Sequence, residues 1–338
     1  MRALALGFVL VVVAAEARDG GVAAAVAVPV PDGDGGIGFD DLLFSPTLRQ
    51  VLAPAGRTGN LDLVDPATHK ATAISGFSKG EFGGGHGEGT TSADEGRGLL
   101  FASDRSKRSL VVVDPQKRAI VASVKLGSGP DYVRWVAPLG EVWVSEPSAE
   151  QIEVFSISAK GTPTPALVAT IRVPGGPESL VIDAAHGRAY THLWKASTVA
   201  IDLQTHAVAG QWKNGCNESR GIALDAERAL LFAGCDEGMA TVMDLKRGGA
   251  VVSSAPTGKG VDVIAYSQQL GHLYAPGEDS ATMTILAVGK DGQLSPLATV
   301  ATAKGSHCVV ADDIAGVWVC DPKAGQLLYF HDTLPVAR

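Results

Sequence analysis

The stretch ESLVIDAAHGRAYTHLWKASTVAIDLQTHAVAGQWKNG, Glu178 to Gly215, reads as four short strands in a row. Leu180 to Ile182 is an apolar run, Arg188 to His192 alternates about Tyr190, Val199 to Leu203 ends at an Asp, and Val208 to Trp212 closes before Gly215. A four-stranded unit of this kind, recurring every forty-odd residues, is the signature of a β-propeller blade.

Copies of the unit run in both directions along the chain. Aligning the large apolar residue of each second strand gives Leu52, Phe101, Trp143, Tyr190, Phe232, Tyr274 and Trp318, spaced 49, 42, 47, 42, 42 and 44 residues apart. The end of each third strand gives an independent column, Asp65, Asp114, Ser156, Asp202, Asp244, Ala287 and His331, which drifts in step with the first. Asp fills four of these places because its carboxylate bonds the backbone two residues on and starts the turn into strand four. Seven positions predict an all-β, seven-bladed β-propeller of four-stranded antiparallel blades. The last repeat runs out of chain after three strands, while VAAAVAVPVP (Val22 to Pro31) is a spare strand. The ring is therefore expected to close by pairing this N-terminal strand into the last blade, which leaves no open sheet edge. Composition agrees: 46% apolar and 19% charged residues supply a core, and 41 Gly and 18 Pro supply tight turns.

VATIRVPGGPESLVID (Val168 to Asp183), AYTH (Ala189 to His192) and VAIDLQTHAV (Val199 to Val208) resemble the YVTN repeat of the YncE-like secreted seven-bladed propellers. IVASVKLGSGPDYV (Ile120 to Val133) is the next clearest copy, and the resemblance covers essentially the whole mature chain. It implies the fold. It implies no single activity, because that group includes surface-layer, adhesive and periplasmic proteins. The Asn that follows Tyr-Val-Thr in the family is here His192, and elsewhere Pro54, Ser103, Ser145, Gly234, Pro276 or Cys320, so any role of that Asn does not carry over.

Residues 1 to 17 have the pattern of a secretory signal peptide: Arg2 is a positive n-region, Ala3 to Ala15 an apolar h-region, and Ala15-Glu16-Ala17 a small-x-small cleavage signal. An uncleaved anchor is the alternative, although the run is shorter than the roughly 20 apolar residues that span a bilayer. The expected mature protein is one propeller domain over residues 18–338, monomeric, periplasmic or extracellular, with no membrane span. A formal charge of −8 without a basic stripe argues against nucleic acid as a partner. Four cysteines in an exported chain invite pairing. Cys308 and Cys320 are equidistant from a turn centred at Ile314, and Cys216 and Cys235 are nearly symmetric about Ala226, which predicts the bridges Cys216–Cys235 and Cys308–Cys320.

In a propeller, the loops entering each innermost strand share one channel face with the loops between strands two and three. Counting back twelve residues from each marker reaches Asp40, Gly89, Asp131, Glu178, Arg220, Asp262 and Ser306, with Glu88 and His307 alongside. Carboxylates converging there repel unless a cation or an Arg compensates. One expectation is a hard cation such as Ca²⁺ among Asp40, Glu88, Asp131, Glu178 and Asp262. The plainer one is that these acids bond turn amides or pair with Arg220 and Arg134. The facing loops contribute Arg105 in SDRSKRS (Ser103 to Ser109), His192 and Trp194 in THLWK (Thr191 to Lys195), and Asp236 in GCDEG (Gly234 to Gly238). GGGHGEG (Gly83 to Gly89) sets His86 and Glu88 among more glycines than a turn needs, without the spacing of a dinucleotide fingerprint. Ser78 in GFSKG has no helix behind it and is not a nucleophile elbow. The expected function is an exported, non-enzymatic propeller that binds a small ligand or a protein partner at an acidic, Gly-lined channel face. A metal-dependent hydrolase or lactonase and a structural or adhesive surface protein are the alternatives.

Overall fold

The computed structural model describes Val22 and residues 24–337, so the expected signal peptide lies outside the described residues. These residues form seven four-stranded antiparallel sheets, each a blade of a β-propeller. The opening stretch is one of them: Val181–Asp183, Arg188–Leu193, Ser197–Asp202 and Ala207–Lys213 pair in chain order, with Tyr190 between Val181 and Ala200.

Second strands are buried on both faces because each blade is sandwiched between the two blades beside it, as where Val51 and Ala53 pack toward the last blade and Leu52 toward blade two. Glu141–Glu146, Leu230–Cys235 and His272–Gly277 are buried at every residue. All seven marker residues are in the core. The apolar clusters that hold the ring join neighbouring blades, as where Leu52 and Leu61 pack with Leu100 and Ala102. Fourth strands face solvent; in Ala207–Lys213 no residue is fully buried. In blades two to six the third and fourth strands slip register at the same place, between Val112 and Val113, Val154 and Phe155, Ala200 and Ile201, Val242 and Met243, and Ile285 and Leu286. Such a bulge adds local twist, which sweeps the outer strand around the blade.

The recurring Asp does what its chemistry allows. Asp65 accepts from the Ala67 and Thr68 amides, Asp114 from Gln116 and Lys117, and Asp202 from Gln204 and Thr205. Ring closure follows the expected route: Val26–Pro29 pairs antiparallel with Gln326–His331, giving the last blade its fourth strand. Both bridges are formed, Cys216–Cys235 with Cα atoms 5.3 Å apart and Cys308–Cys320 with Cα atoms 5.6 Å apart. No described helix is long and apolar enough to cross a membrane.

Candidate functional site

Two positions per blade build one end of the channel. The residue twelve before each marker opens the inner strand, and the residue four after it opens the loop between strands two and three. A cavity of about 630 Å³ is lined from the first set by Asp40, Asp131, Glu178, Arg220 and Asp262, and from the second by Arg105, Pro147, Trp194, Asp236 and Glu278. His86 and Arg108 complete its charged wall. Arg108 belongs to the facing loop SDRSKRS, whereas Glu278 was not among the expected site residues. Glu278 belongs to no motif, and only the forward count of four from Tyr274 would have found it.

Six carboxylates and three guanidinium groups share this space. Arg105 crosses it, with Nη2 2.5 Å from Asp131 and Nη1 3.8 Å from Asp40, while Nε donates to Pro130 O. Arg220 donates to Glu178 at 3.0 Å and lies 5.6 Å from the centre of the Trp194 ring. His86 Nδ1 is 2.9 Å from Asp40 Oδ2. The acids respond unequally. Burial works to raise the Asp40 carboxyl, but the neighbouring charges of His86 and Arg105 outweigh it and hold the group below the usual carboxylate range. Asp40 in turn pushes His86 up to about 10 against the effect of burial. Burial, then the charge of Asp40, raises Asp131 to about 7. Burial, then Asp131 and Asp262, raises Glu178 to about 8 although Arg220 opposes the shift. Burial also raises Asp236 and Glu278. The mouth therefore holds protons at neutral pH that a bound cation would displace.

Local geometry explains how His86 reaches this wall. A Cβ on Gly38 would meet Gly85 O at 2.1 Å and the His86 Cα at 2.9 Å, so a bare glycine there lets the His86 loop lie against the chain leading to Asp40. Gly89 has φ +68°, and its missing Cβ would fall 1.9 Å from Gly56 O. Gly83, Gly84, Gly85 and Gly87 have open space around them.

Two expected site residues stand elsewhere. His192 is not on a loop: it sits inside Arg188–Leu193, fully buried, with Nδ1 2.8 Å from Thr198 Oγ1 and Nε2 3.3 Å from Phe232 O. Burial pushes its imidazole down to about 4, and it is a neutral core group. Glu88 is exposed and accepts from Ser106 Oγ outside the cavity wall. Trp194, two residues after His192, does line the cavity and is 48% exposed. His307 is buried just behind the mouth, with Nε2 2.8 Å from Phe39 O and Nδ1 2.7 Å from Gly305 O. Arg134 does not serve the acidic ring; it pairs with Asp41. The five carboxylates expected to hold Ca²⁺ are not gathered at one point. Three of them pair with basic side chains, Glu88 lies apart, and the groups of three donors within 4.8 Å among the described residues are His86–Asp262–His307 and His307–Cys308–Cys320.

No family model matches the chain, and no curated protein is similar to it at a significant level. Solved structures match it over nearly its whole length. Hydrazine synthase of Kuenenia stuttgartiensis is similar at 15% identity and a TM-score of 0.72, over 87% of this chain and 95% of that one. The β-propeller domain of Myceliophteria thermophila Cps50 (Swd1) gives 12% identity and 0.72, over 89% and 98%. A chain of the mitotic checkpoint complex gives 12% and 0.70, over 98% and 99%. At these identities the likeness is one of fold, a β-propeller able to serve as a binding scaffold.

Proposed function

We propose that this chain is an exported, non-enzymatic propeller that receives a positively charged small ligand, an alkylammonium or guanidinium compound, at the acidic mouth of its channel. The observation that carries this is the cavity's charge balance, six carboxylates against three guanidinium groups and the His86 imidazole raised to about 10, with Asp131 and Glu178 raised to about 7 and about 8. Low-dielectric walls lined by one sign of charge concentrate the opposite sign. Trp194 adds a face on which a cation can rest: Arg220 already lies over it, and a ligand ammonium can take the same place. Export is supported by the leader-like residues 1–17 and by two disulfides, which persist in oxidising compartments. The YVTN-like repeats support membership of the YncE-like propellers. We further propose a monomer with no nucleic-acid partner, in line with the net negative charge.

Calorimetric titration of the mature protein with spermidine, putrescine and choline at pH 8 and low salt tests the proposal. Saturable binding that weakens with salt is expected, and Trp194→Ala should lower affinity about fivefold to thirtyfold, the worth of one partly desolvated cation–π contact. Binding of anions with none of cations, or turnover of lactones or phosphoesters that disappears with the mouth carboxylates, would overturn it.

A further inference from the structure

A second cavity, of about 410 Å³, opens beside the mouth on the same face, between the Gly-rich loop and blades six and seven, and His86, Asp262 and Glu278 line both spaces. Its charge pattern is different. Where the mouth is dominated by carboxylates, the second cavity sets Asp262, Glu278 and Asp279 against Lys304, Lys323 and the shared His86. Lys304 lies on the chain entering blade seven, and Lys323 on the loop between its strands Gly316–Asp321 and Gln326–His331. Neither lysine has an ion pair or a side-chain hydrogen bond among the described residues, in a chain whose net charge is −8. The backbone beneath them is nevertheless fixed. Gly305, next to Lys304, donates its N–H to Glu278 O at 3.0 Å, and its carbonyl lies 2.7 Å from His307 Nδ1. His307 Nε2 lies 2.8 Å from Phe39 O, so this segment is tied to blade six on one side and to the entrance of blade one on the other. Pro322, next to Lys323, accepts from Ile37 N at 2.8 Å. Phe82 and Pro322 supply an apolar side; a Cβ on Gly36 would collide with the Phe82 ring, so a bare glycine lets that ring lie against the turn. An apolar wall with a few anchored charges is how small-ligand sites fix orientation.

Charges of both signs in one slot match a ligand group that itself carries both. We infer that the second cavity takes the α-ammonium and α-carboxylate of a basic amino acid whose side-chain cation lies in the mouth beside Trp194, with Lys304 and Lys323 receiving the carboxylate and Asp262 and Asp279 the α-ammonium. This rests on the organic-cation reading of the mouth and narrows it to one ligand class. A simple diamine meets Lys304 and Lys323 as like charges, which is unfavourable, whereas an amino acid gives them a charge-assisted hydrogen-bond acceptor. Two uniformly acidic cavities would instead favour whichever ligand carries the most positive charge.

The experiment is calorimetric titration of the mature protein, disulfides intact, with three matched compounds: ornithine, putrescine, which is ornithine without its carboxylate, and 5-aminopentanoate, which is ornithine without its α-ammonium. Ornithine should bind more tightly than either by about threefold or more, the scale of one solvent-screened ion pair, although putrescine carries the larger net positive charge. In the double variant Lys304→Ala, Lys323→Ala the affinity for ornithine should fall to that for putrescine or below it. Both lysines are exposed, and matching circular dichroism of variant and parent checks that the fold is kept. Saturable putrescine binding with ornithine equal or weaker, 5-aminopentanoate binding as tightly as ornithine, or an ornithine advantage that survives in the double variant would overturn this inference and leave the organic-cation reading standing. Binding of none of the three, nor of spermidine or choline, would overturn both.

Discussion

Asp62 offers a direct test of how burial sets energetics in this fold. It lies in Asn60–Asp65, the third strand of blade one, between Ala53 and Ala73 on the flanking strands, with no exposed surface. Neither carboxylate oxygen has a hydrogen-bond partner. Burial, then the charge of Asp32, raises its pKa from 3.8 to about 8. Below the unfolded pKa the group is protonated in both states and costs no ionisation. Between 3.8 and about 8 the folded state binds the extra proton, so its stability falls as pH rises, and above about 8 the penalty is complete. At about 1.4 kcal/mol per pH unit, the roughly four-unit gap sets a ceiling of about 6 kcal/mol, and water penetration brings a realistic cost to a few kcal/mol. Asp62→Asn removes the charge at equal size and buries an unpartnered amide where the parent at low pH buries an unpartnered carboxyl, at similar cost. The net gain at pH 9 should be about 1–3 kcal/mol, or several degrees at most for a domain of this length. Thermal unfolding of both proteins between pH 4 and pH 9 is the assay. The difference in midpoint should be near zero at pH 4 and grow with pH; a constant difference, or a variant less stable than the parent at pH 9, would refute the argument.

Ligand binding at the mouth should carry its own pH signature. Asp131 and Glu178 must lose protons held to about 7 and about 8, so affinity for spermidine should rise from pH 6 to pH 9 and level off, and Glu178→Gln should flatten part of that rise. Calorimetry in buffers of different ionisation enthalpy counts the released protons; a flat profile with no proton release would exclude these two groups. Glycine substitutions should separate cradle from filler. Gly89→Ala, at φ +68° with Gly56 O 1.9 Å from the new Cβ, should sharply lower the unfolding midpoint and the yield of folded protein, whereas Gly83→Ala, in open space, should change the midpoint by less than about 2 °C.

What a residue does with its near neighbours was readable from the chain itself. The blade count came from marker spacing, the Asx turns from the column of Asp, and both disulfides from symmetry about a turn, because strands that follow one another pair with one another. The twelve-residue count even located Asp40, Asp131, Glu178, Arg220 and Asp262 at the mouth, since every blade repeats the same local geometry. The partners across the ring were a different matter. Asp41 meets Arg134 across 93 residues and His307 meets Phe39 across 268, contacts that exist only once seven blades close on each other. His192 and Trp194 share one pentapeptide, but the first is pressed between blades and the second stands at the rim. A period of two marks a strand; it does not say that the next blade covers its other face. For the same reason the acids were visible as a ring, while only the tertiary structure decided which of them are matched by Arg105, Arg220 or His86, and that Asp262 has no ion pair among the described residues.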